Sequence, residues 1–124
     1  MQSPFTKKAI DIIAAIPSGK VSTYGIIAAH AGNSKGARQV ARILHSSSRK
    51  YDLPWHRVVN KDGKISLPKG SGYEFQKELL RDENVEFEEG DRIDFERFLW
   101  WPKLKISGSS HIIKVNPAEL DKNL

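Results

Sequence analysis

Apolar residues near the start of the chain recur at the spacing of an α-helix. They are Phe5, Ala9, Ile12, Ile13 and Ile16. The pattern predicts an amphipathic helix, with Ser3 as its N-cap and Pro4 in its first turn. The following segment, Pro17–Gly19, ends this helix and turns the chain.

Two further helices are predicted after this turn. The shorter one runs from about Tyr24 to Ala31, is capped by Ser22 or Thr23, and ends at residues 32–33, a Gly-Asn pair that tolerates a positive φ angle. The longer one runs from about Lys35 to His45. Its periodicity places one set of side chains inward (Val40, Ile43, Leu44) and another outward (Arg38, Gln39, Arg42). Two helices joined by a Gly-containing turn, the second presenting arginines, have the form of a helix-turn-helix, although many helix pairs without a DNA partner share it.

The second half of the chain predicts shorter elements. The polar run at 46–50 reads as a loop, and residues 57–59 and 64–66, which flank a turn at 60–63, read as a small β-hairpin. A helix from Tyr73 to about Asn84 should bury Phe75, Leu79 and Leu80. Residues 85–88 alternate as a short strand or an extended return, and the apolar segment 94–101 closes the core.

Composition bounds the possible classes of protein. The 124 residues are enough for one domain, which we expect at 1–102, followed by a flexible tail at 103–124. The chain has no Cys and no apolar run of the roughly 20 residues that span a bilayer, which favours the cytoplasm, with the nucleoid or a nucleus as alternatives if DNA is the partner. The four His are scattered without ligand spacing, so we expect no metal or other cofactor, and a monomer is the default.

Positive charge is concentrated in the first half of the chain. Residues 1–64 carry 11 Lys and Arg against 3 Asp and Glu, whereas residues 65–124 carry 9 against 12. A polyanion such as DNA would therefore meet the first half, although a basic solvated surface would show the same balance.

Four segments together resemble the O6-alkylguanine-DNA alkyltransferases. Residues 16–25 resemble the family's Ile-Pro-x-Gly-x-Val-x-Thr-Tyr-Gly, residues 37–40 its Ala-Arg-x-Val, and residues 79–83 its Leu-Leu-x-x-Glu. Residues 54–58 read Pro-Trp-His-Arg-Val, where the enzymes have Pro-Cys-His-Arg-Val. The match covers about residues 5–100 and is closest to the alkyltransferase-like branch of the family. It implies a mostly α domain with a small β-hairpin, of the winged helix-turn-helix type of the alkyltransferase C-terminal domain.

The substitution at position 55 decides the expected chemistry. In the enzymes the cysteine at this position takes the alkyl group from the guanine, and an indole has no ionisable soft nucleophile to replace a thiolate. The resemblance therefore implies a non-enzymatic protein that binds duplex DNA through the minor groove, flips O6-alkylguanine into a pocket beside Trp55 and marks it for nucleotide excision repair proteins.

The resemblance also implies roles for particular residues. Arg38 corresponds to an intercalating finger, and the carbonyls of Trp55 and Val58 to acceptors for the guanine amine. His56 and Glu83 would form a structural network. The expected pocket residues are Tyr24, Trp55, Arg57, Val58 and Lys69. The expected DNA-binding residues are Ser22, Thr23, Tyr24, Gly36, Ala37, Arg38, Gln39 and Arg42.

Two other functions fit parts of the sequence. An alkyltransferase-related enzyme with another nucleophile would have to use Asp52, His56 or Glu83, none of which lies in a motif for that chemistry. A helix-turn-helix regulator would read DNA through Arg38, Gln39 and Arg42, but it leaves the Trp-His-Arg motif unexplained.

Overall fold

The computed structural model describes residues 2–102 of the chain. The predicted tail at 103–124 lies outside the described residues. Within these residues the fold has five α-helices: α1 (Pro4–Ala15), α2 (Tyr24–His30), α3 (Ala37–Tyr51), α4 (Tyr73–Asp82) and α5 (Phe95–Phe98). The same described part has four two-residue strands, which form two small sheets: β1 (Ser22–Thr23), β2 (Val58–Val59), β3 (Phe87–Glu88) and β4 (Arg92–Ile93). In the part described, no helix is long and apolar enough to cross a membrane.

Local signals set the ends of α1 and α2 as predicted. The Ser3 hydroxyl accepts a hydrogen bond from the backbone N–H of Thr6, and Pro4 occupies the first turn of α1. The Thr23 hydroxyl likewise accepts from the N–H of Ile26 and caps α2. The helices α2 and α3, predicted as a helix-turn-helix pair, are both present and pack against each other and against α1.

The helix α3 is longer than the sequence predicted. The expected loop at 46–50 is its last part, because Ser46 and Ser48 donate hydrogen bonds back to the carbonyls of Ile43 and Leu44 instead of leaving the helix. The helix ends at Tyr51, and the C-cap residue Asp52 has a left-handed backbone with φ 51°. Leu53, buried directly afterwards, anchors this end to the core.

The prediction of a β-hairpin at 57–66 is wrong. Val58 and Val59 pair in parallel with Ser22 and Thr23, and residues 64–66 form no strand. The turn between them is present, because the Asn60 side chain accepts from the N–H groups of Asp62 and Lys64. Gly63 has φ +75°, and a Cβ there would lie 2.6 Å from the Ile93 carbonyl oxygen. The small antiparallel hairpin of this fold is β3–β4 instead, where Phe87 pairs with Ile93.

Two hydrophobic clusters meet at β2. Val58 packs in a cluster with α1, α2 and α3, whereas Val59 packs in a second one with Leu80 and Phe98. Successive side chains of a strand point to opposite faces, so this strand separates the clusters. The 3₁₀ turn Trp55–Arg57 leads directly into β2 and is thereby fixed between them. Of the apolar residues predicted to be buried in α4, Leu80 is fully buried, but Phe75 is 57% exposed.

Candidate functional site

A cavity of about 710 Å³ opens between α3 and the 3₁₀ turn. This volume is in the range of pockets that hold small organic ligands. Of the predicted pocket residues, Tyr24, Trp55 and Val58 line it. The full lining is Tyr24, Ala41, Leu44, His45, Ser48, Arg49, Asp52, Leu53, Trp55, Val58, Ser66, Leu67 and Gln76.

The indole of Trp55 forms part of the cavity wall and is half-buried. Its backbone is fixed by two hydrogen bonds: its N–H donates to the Leu53 carbonyl over 2.8 Å, and its carbonyl accepts from the N–H of Val58. The ring stands edge-on to His56 and lies against Phe75, each with a centroid separation of 6.0 Å. A large aromatic face therefore borders the cavity in a defined position.

Tyr24 occupies the first position of α2 and borders the same cavity. Thr23 sets its position by capping the helix. Burial raises the pKa of the Tyr24 hydroxyl, and a hydrogen bond with Ser66 opposes the shift. The phenol therefore stays neutral at physiological pH and can donate as well as accept a hydrogen bond.

Arg57 and Lys69 are predicted pocket residues, but neither of them lines the cavity. The guanidinium of Arg57 points to Glu83 and to the Ile16 carbonyl, which it reaches over 2.8 Å. The ammonium of Lys69 lies 5.8 Å from the ring centre of Tyr73. Because the chain turns at Pro68–Ser71, the preceding residues Ser66 and Leu67 form this side of the cavity instead.

His56, Arg57 and Glu83 form one hydrogen-bonded network. The Glu83 carboxylate accepts from Nε2 of His56 over 2.8 Å, from Nη2 of Arg57 over 2.6 Å and from the backbone N–H of Gly19 over 3.2 Å. Burial by itself would raise the pKa of Glu83, but the hydrogen bonds from Arg57, His56 and Gly19 outweigh it and lower the pKa to about 2. The network ties the 3₁₀ turn to the turn after α1 and to the end of α4.

Gln76 is a functional-site residue that the sequence analysis missed. Its side chain is only 2% exposed, and its amide donates to the carbonyls of His56 and Val58 over 3.0 and 3.1 Å. The available signal was its spacing, because Gln76 and the buried Leu80 share one face of α4. The carbonyls of Trp55 and Val58, expected to accept from a guanine amine, each already have one donor and keep one further lone pair.

The predicted DNA-binding residues divide into exposed and buried groups. Arg38, Gln39 and Arg42 are exposed on α3. Ser22 and Thr23 are fully buried in the strand that pairs with β2, so their side chains do not reach the surface.

Gly36 and Ala37, expected to permit a close approach of DNA, are also buried. A Cβ at Gly36 would lie 2.8 Å from the Phe5 ring. The small residues at the start of α3 therefore serve its packing against α1.

One face of α3 forms a wall of the cavity that the sequence did not predict. Its members recur at the three- and four-residue spacing of a helix face: Ala41, Leu44, His45, Ser48 and Arg49, followed by the C-cap Asp52. Within residues 2–102, no group of three or more His, Asp or Glu side chains is arranged to hold a metal ion.

The chain is similar to known proteins over most of its length. A family model described as "6-O-methylguanine DNA methyltransferase, DNA binding domain" matches residues 4–85. A "DNA base-flipping protein" of Escherichia coli (strain K12) is 40% identical over 99 residues, which are 80% of this chain and 76% of that protein. "Alkyltransferase-like protein 1" of Schizosaccharomyces pombe is 36% identical over 103 residues, 79% of this chain and 95% of that protein.

The fold is also similar to a solved structure. The crystal structure of S. pombe Atl1 in complex with damaged DNA containing O6-carboxymethylguanine superposes with a TM-score of 0.72 at 35% identity. The superposition covers 82% of this chain and all of that one. This likeness confirms the predicted type of fold, mostly helical with small β elements.

Proposed function

Since the chain belongs to the family of the 6-O-methylguanine DNA methyltransferase DNA-binding domain, we propose that it recognises O6-alkylguanine in duplex DNA without removing the alkyl group. The membership confirms the resemblance that the motifs indicated. A base carrying such a lesion is hidden in the stack, so recognition requires the nucleotide to be rotated out of the duplex into a pocket. The proposed pocket is the cavity that Tyr24 and Trp55 border.

The observation that carries this proposal is the indole of Trp55 in the cavity wall. In the enzymes that the motif resembles, this position holds the reactive cysteine, while the neighbouring motif residues are the same as in this chain. The 124 residues contain no Cys. Alkyl transfer to a thiolate is therefore chemically impossible for this chain. The aromatic face that replaces the thiol offers stacking and apolar contact to a base or to its alkyl group.

The ionic network beside Trp55 fits a structural role better than a chemical one. His56 and Arg57 both donate to Glu83, so the carboxylate is shared between two partners and held ionised. A carboxylate with a pKa of about 2 is a weak nucleophile, and His56 has no acidic thiol to deprotonate. These contacts support a rigid turn under Trp55, which would keep the pocket preformed.

The DNA contact proposed for α3 rests on its exposed side chains. Arg38 is assigned the role of filling the gap left by the flipped nucleotide, because a planar guanidinium can stack on bases and remain close to phosphates. Gln39 and Arg42 extend the same face along the minor groove. Their exposure and the excess of positive charge in residues 1–64 support this assignment.

A bound lesion that is not repaired in place needs a second activity. We extend the proposal to a handover of the marked site to nucleotide excision repair proteins, with the chain acting as a monomer in the compartment that holds the DNA, which is the cytoplasm with its nucleoid or a nucleus. The chemical reason is that excision of the strand does not require a nucleophile on the recognition protein.

The test compares two duplexes that differ only in one O6-methylguanine. We expect tighter binding to the modified duplex, with the methyl group still on the DNA when both components are weighed by mass spectrometry. Methyl transfer to protein or water would instead identify an enzyme with another nucleophile. Equal binding of both duplexes together with a preference for an unmodified sequence motif would identify a sequence-reading regulator.

A further inference from the structure

The face of α3 that borders the cavity carries two basic side chains, His45 and Arg49, one helical turn apart. Both are exposed, and both line the cavity. Within residues 2–102, neither side chain has a carboxylate within 4.0 Å or a hydrogen-bond partner. Their donors are therefore available to a ligand that enters the cavity.

Most of the remaining cavity wall is apolar or aromatic, with Ser66 and Gln76 as its polar members. Leu53, Val58 and Leu67 are apolar, and Tyr24 and Trp55 are aromatic, so they suit the flat, largely apolar body of a base. Ser48 already donates to the Leu44 carbonyl, so its hydroxyl hydrogen is not available, and the ring N–H of His45 and the guanidinium of Arg49 are the remaining side-chain donors of this face.

We propose that His45 and Arg49 form an anion subsite of the cavity, which binds an oxyanion of the lesion nucleotide. The inference rests on the proposed function. The planar guanidinium of Arg49 matches a carboxylate or a phosphate through paired hydrogen bonds. The oxyanion has two possible sources with this shared chemistry: a carboxylate carried by the O6 substituent, or the phosphate of the flipped nucleotide.

Two neighbouring features carry negative charge and would repel an anion at this place. Binding of an anion here would therefore depend on the guanidinium of Arg49. Asp52 borders the same cavity, and the C-terminal end of α3 carries partial negative charge. Without the Arg49 guanidinium the wall would repel an oxyanion. Removal of this guanidinium should therefore reduce the affinity by more than the loss of one solvent-exposed contact would. Replacement of Asp52 by Asn should strengthen binding of the same anion, because it removes the opposing negative charge. Asn also tolerates the left-handed backbone at this residue.

The experiment uses three duplexes with an O6 substituent: carboxymethyl, its neutral isostere carbamoylmethyl, and methyl. We expect Arg49→Gln to weaken binding of at least one duplex by about threefold to tenfold, and Arg49→Lys to restore part of the loss. The matched control is Lys50→Gln, which removes the same charge from the same helical turn but from a residue outside the cavity lining.

The three duplexes distinguish the two sources. A loss confined to the carboxymethyl duplex identifies the carboxylate of the adduct. An equal loss for all three, with a shallower dependence on salt, identifies the phosphate. If Arg49→Gln behaves like Lys50→Gln on every duplex while the wild type still prefers O6-methylguanine over guanine, the subsite is wrong and the proposed function stands. Loss of that preference in the wild type would contradict the proposed function itself.

Discussion

The phenyl ring of Phe75 lies against the indole of Trp55, with ring centroids 6.0 Å apart and planes tilted by 40°, while 57% of Phe75 is exposed. An exposed phenylalanine on a polar helix face contributes little to the core. Its contact instead supports the aromatic wall of the cavity from the side of α4. The next residue, Gln76, is bonded to the carbonyls of His56 and Val58, so the position of α4 relative to Trp55 is fixed.

Replacement of Phe75 by Ala should weaken binding of O6-alkylguanine duplexes by about threefold to tenfold, because the indole of Trp55 loses the ring contact that holds it in the cavity wall. Fluorescence anisotropy with a labelled duplex measures the loss. Since Phe75 is largely exposed, the melting temperature should change little. Glu78→Ala, an exposed change on the same helix, is the control. Equal affinities for the two variants would show that Phe75 does not position Trp55.

Replacement of Arg38 by Ala should reduce the affinity for the lesion duplex by more than the loss of one phosphate contact. The reason is that a finger both fills the gap in the stack and stabilises the flipped state, whereas a surface lysine only neutralises charge. The comparison is Lys7→Ala, an exposed basic residue on α1. The finger assignment fails if both variants lose the same amount at the same salt concentration.

Introduction of a thiol by Trp55→Cys should give no stoichiometric methyl transfer. A thiol reacts only when it lies about 3–3.5 Å from the alkyl carbon and is aligned with the bond that breaks. The cavity is bordered by a large indole, and the much smaller Cys side chain would leave a gap at that place. Intact-protein mass spectrometry after incubation with an O6-methylguanine duplex reports the outcome. Complete methylation of the variant would show that the cavity still has the geometry of an alkyltransferase.

The Glu83 carboxylate should stabilise the fold in a pH-dependent way. Its pKa is lowered from 4.5 to about 2 in the folded chain, so its contribution is fully present above the ordinary pKa and is lost as the pH falls toward the folded value. The side chain is 14% exposed, and Glu83→Gln should lower the free energy of unfolding by about 2 kcal/mol near neutral pH. Urea unfolding at several pH values tests this. A difference between wild type and variant that persists unchanged toward pH 2 would contradict the ionic account.

Ser22 was predicted to contact DNA, and its replacement tests whether the residue has any role in DNA binding. Its hydroxyl is fully buried and, in the part of the chain described, is the one buried side-chain polar atom without a hydrogen-bond partner. Ser22→Ala removes the cost of burying that group, so we expect stability to be unchanged or raised by about 1 kcal/mol, with unchanged affinity for DNA. Thermal unfolding and a duplex titration measure both quantities. A clear loss of DNA affinity without a loss of stability would restore Ser22 to the DNA interface.

Local chemistry predicted the parts of the fold that depend on neighbouring residues. The cap at Ser3 and the turn at Asn60–Gly63 follow from side-chain groups that bond to the backbone a few residues away. Ser46 and Ser48 show the limit of such signals. A run of serines can form a loop, or it can continue a helix in which the hydroxyls donate hydrogen bonds to carbonyls of the preceding turn. In the fold the helix continues through both serines, and Leu53 is buried directly after its end.

The sequence by itself determined the family of the chain, its lack of a nucleophilic thiol and the identity of the indole that stands in its place, because these depend on residue type and order alone. Only the tertiary structure decided that Val58 pairs with Ser22, that Arg57 turns away to Glu83, and that His45 and Arg49 of α3 border the cavity. Such pairings join residues that are distant along the chain, and they are selected by how the hydrophobic clusters pack, which no local pattern of polar and apolar positions encodes.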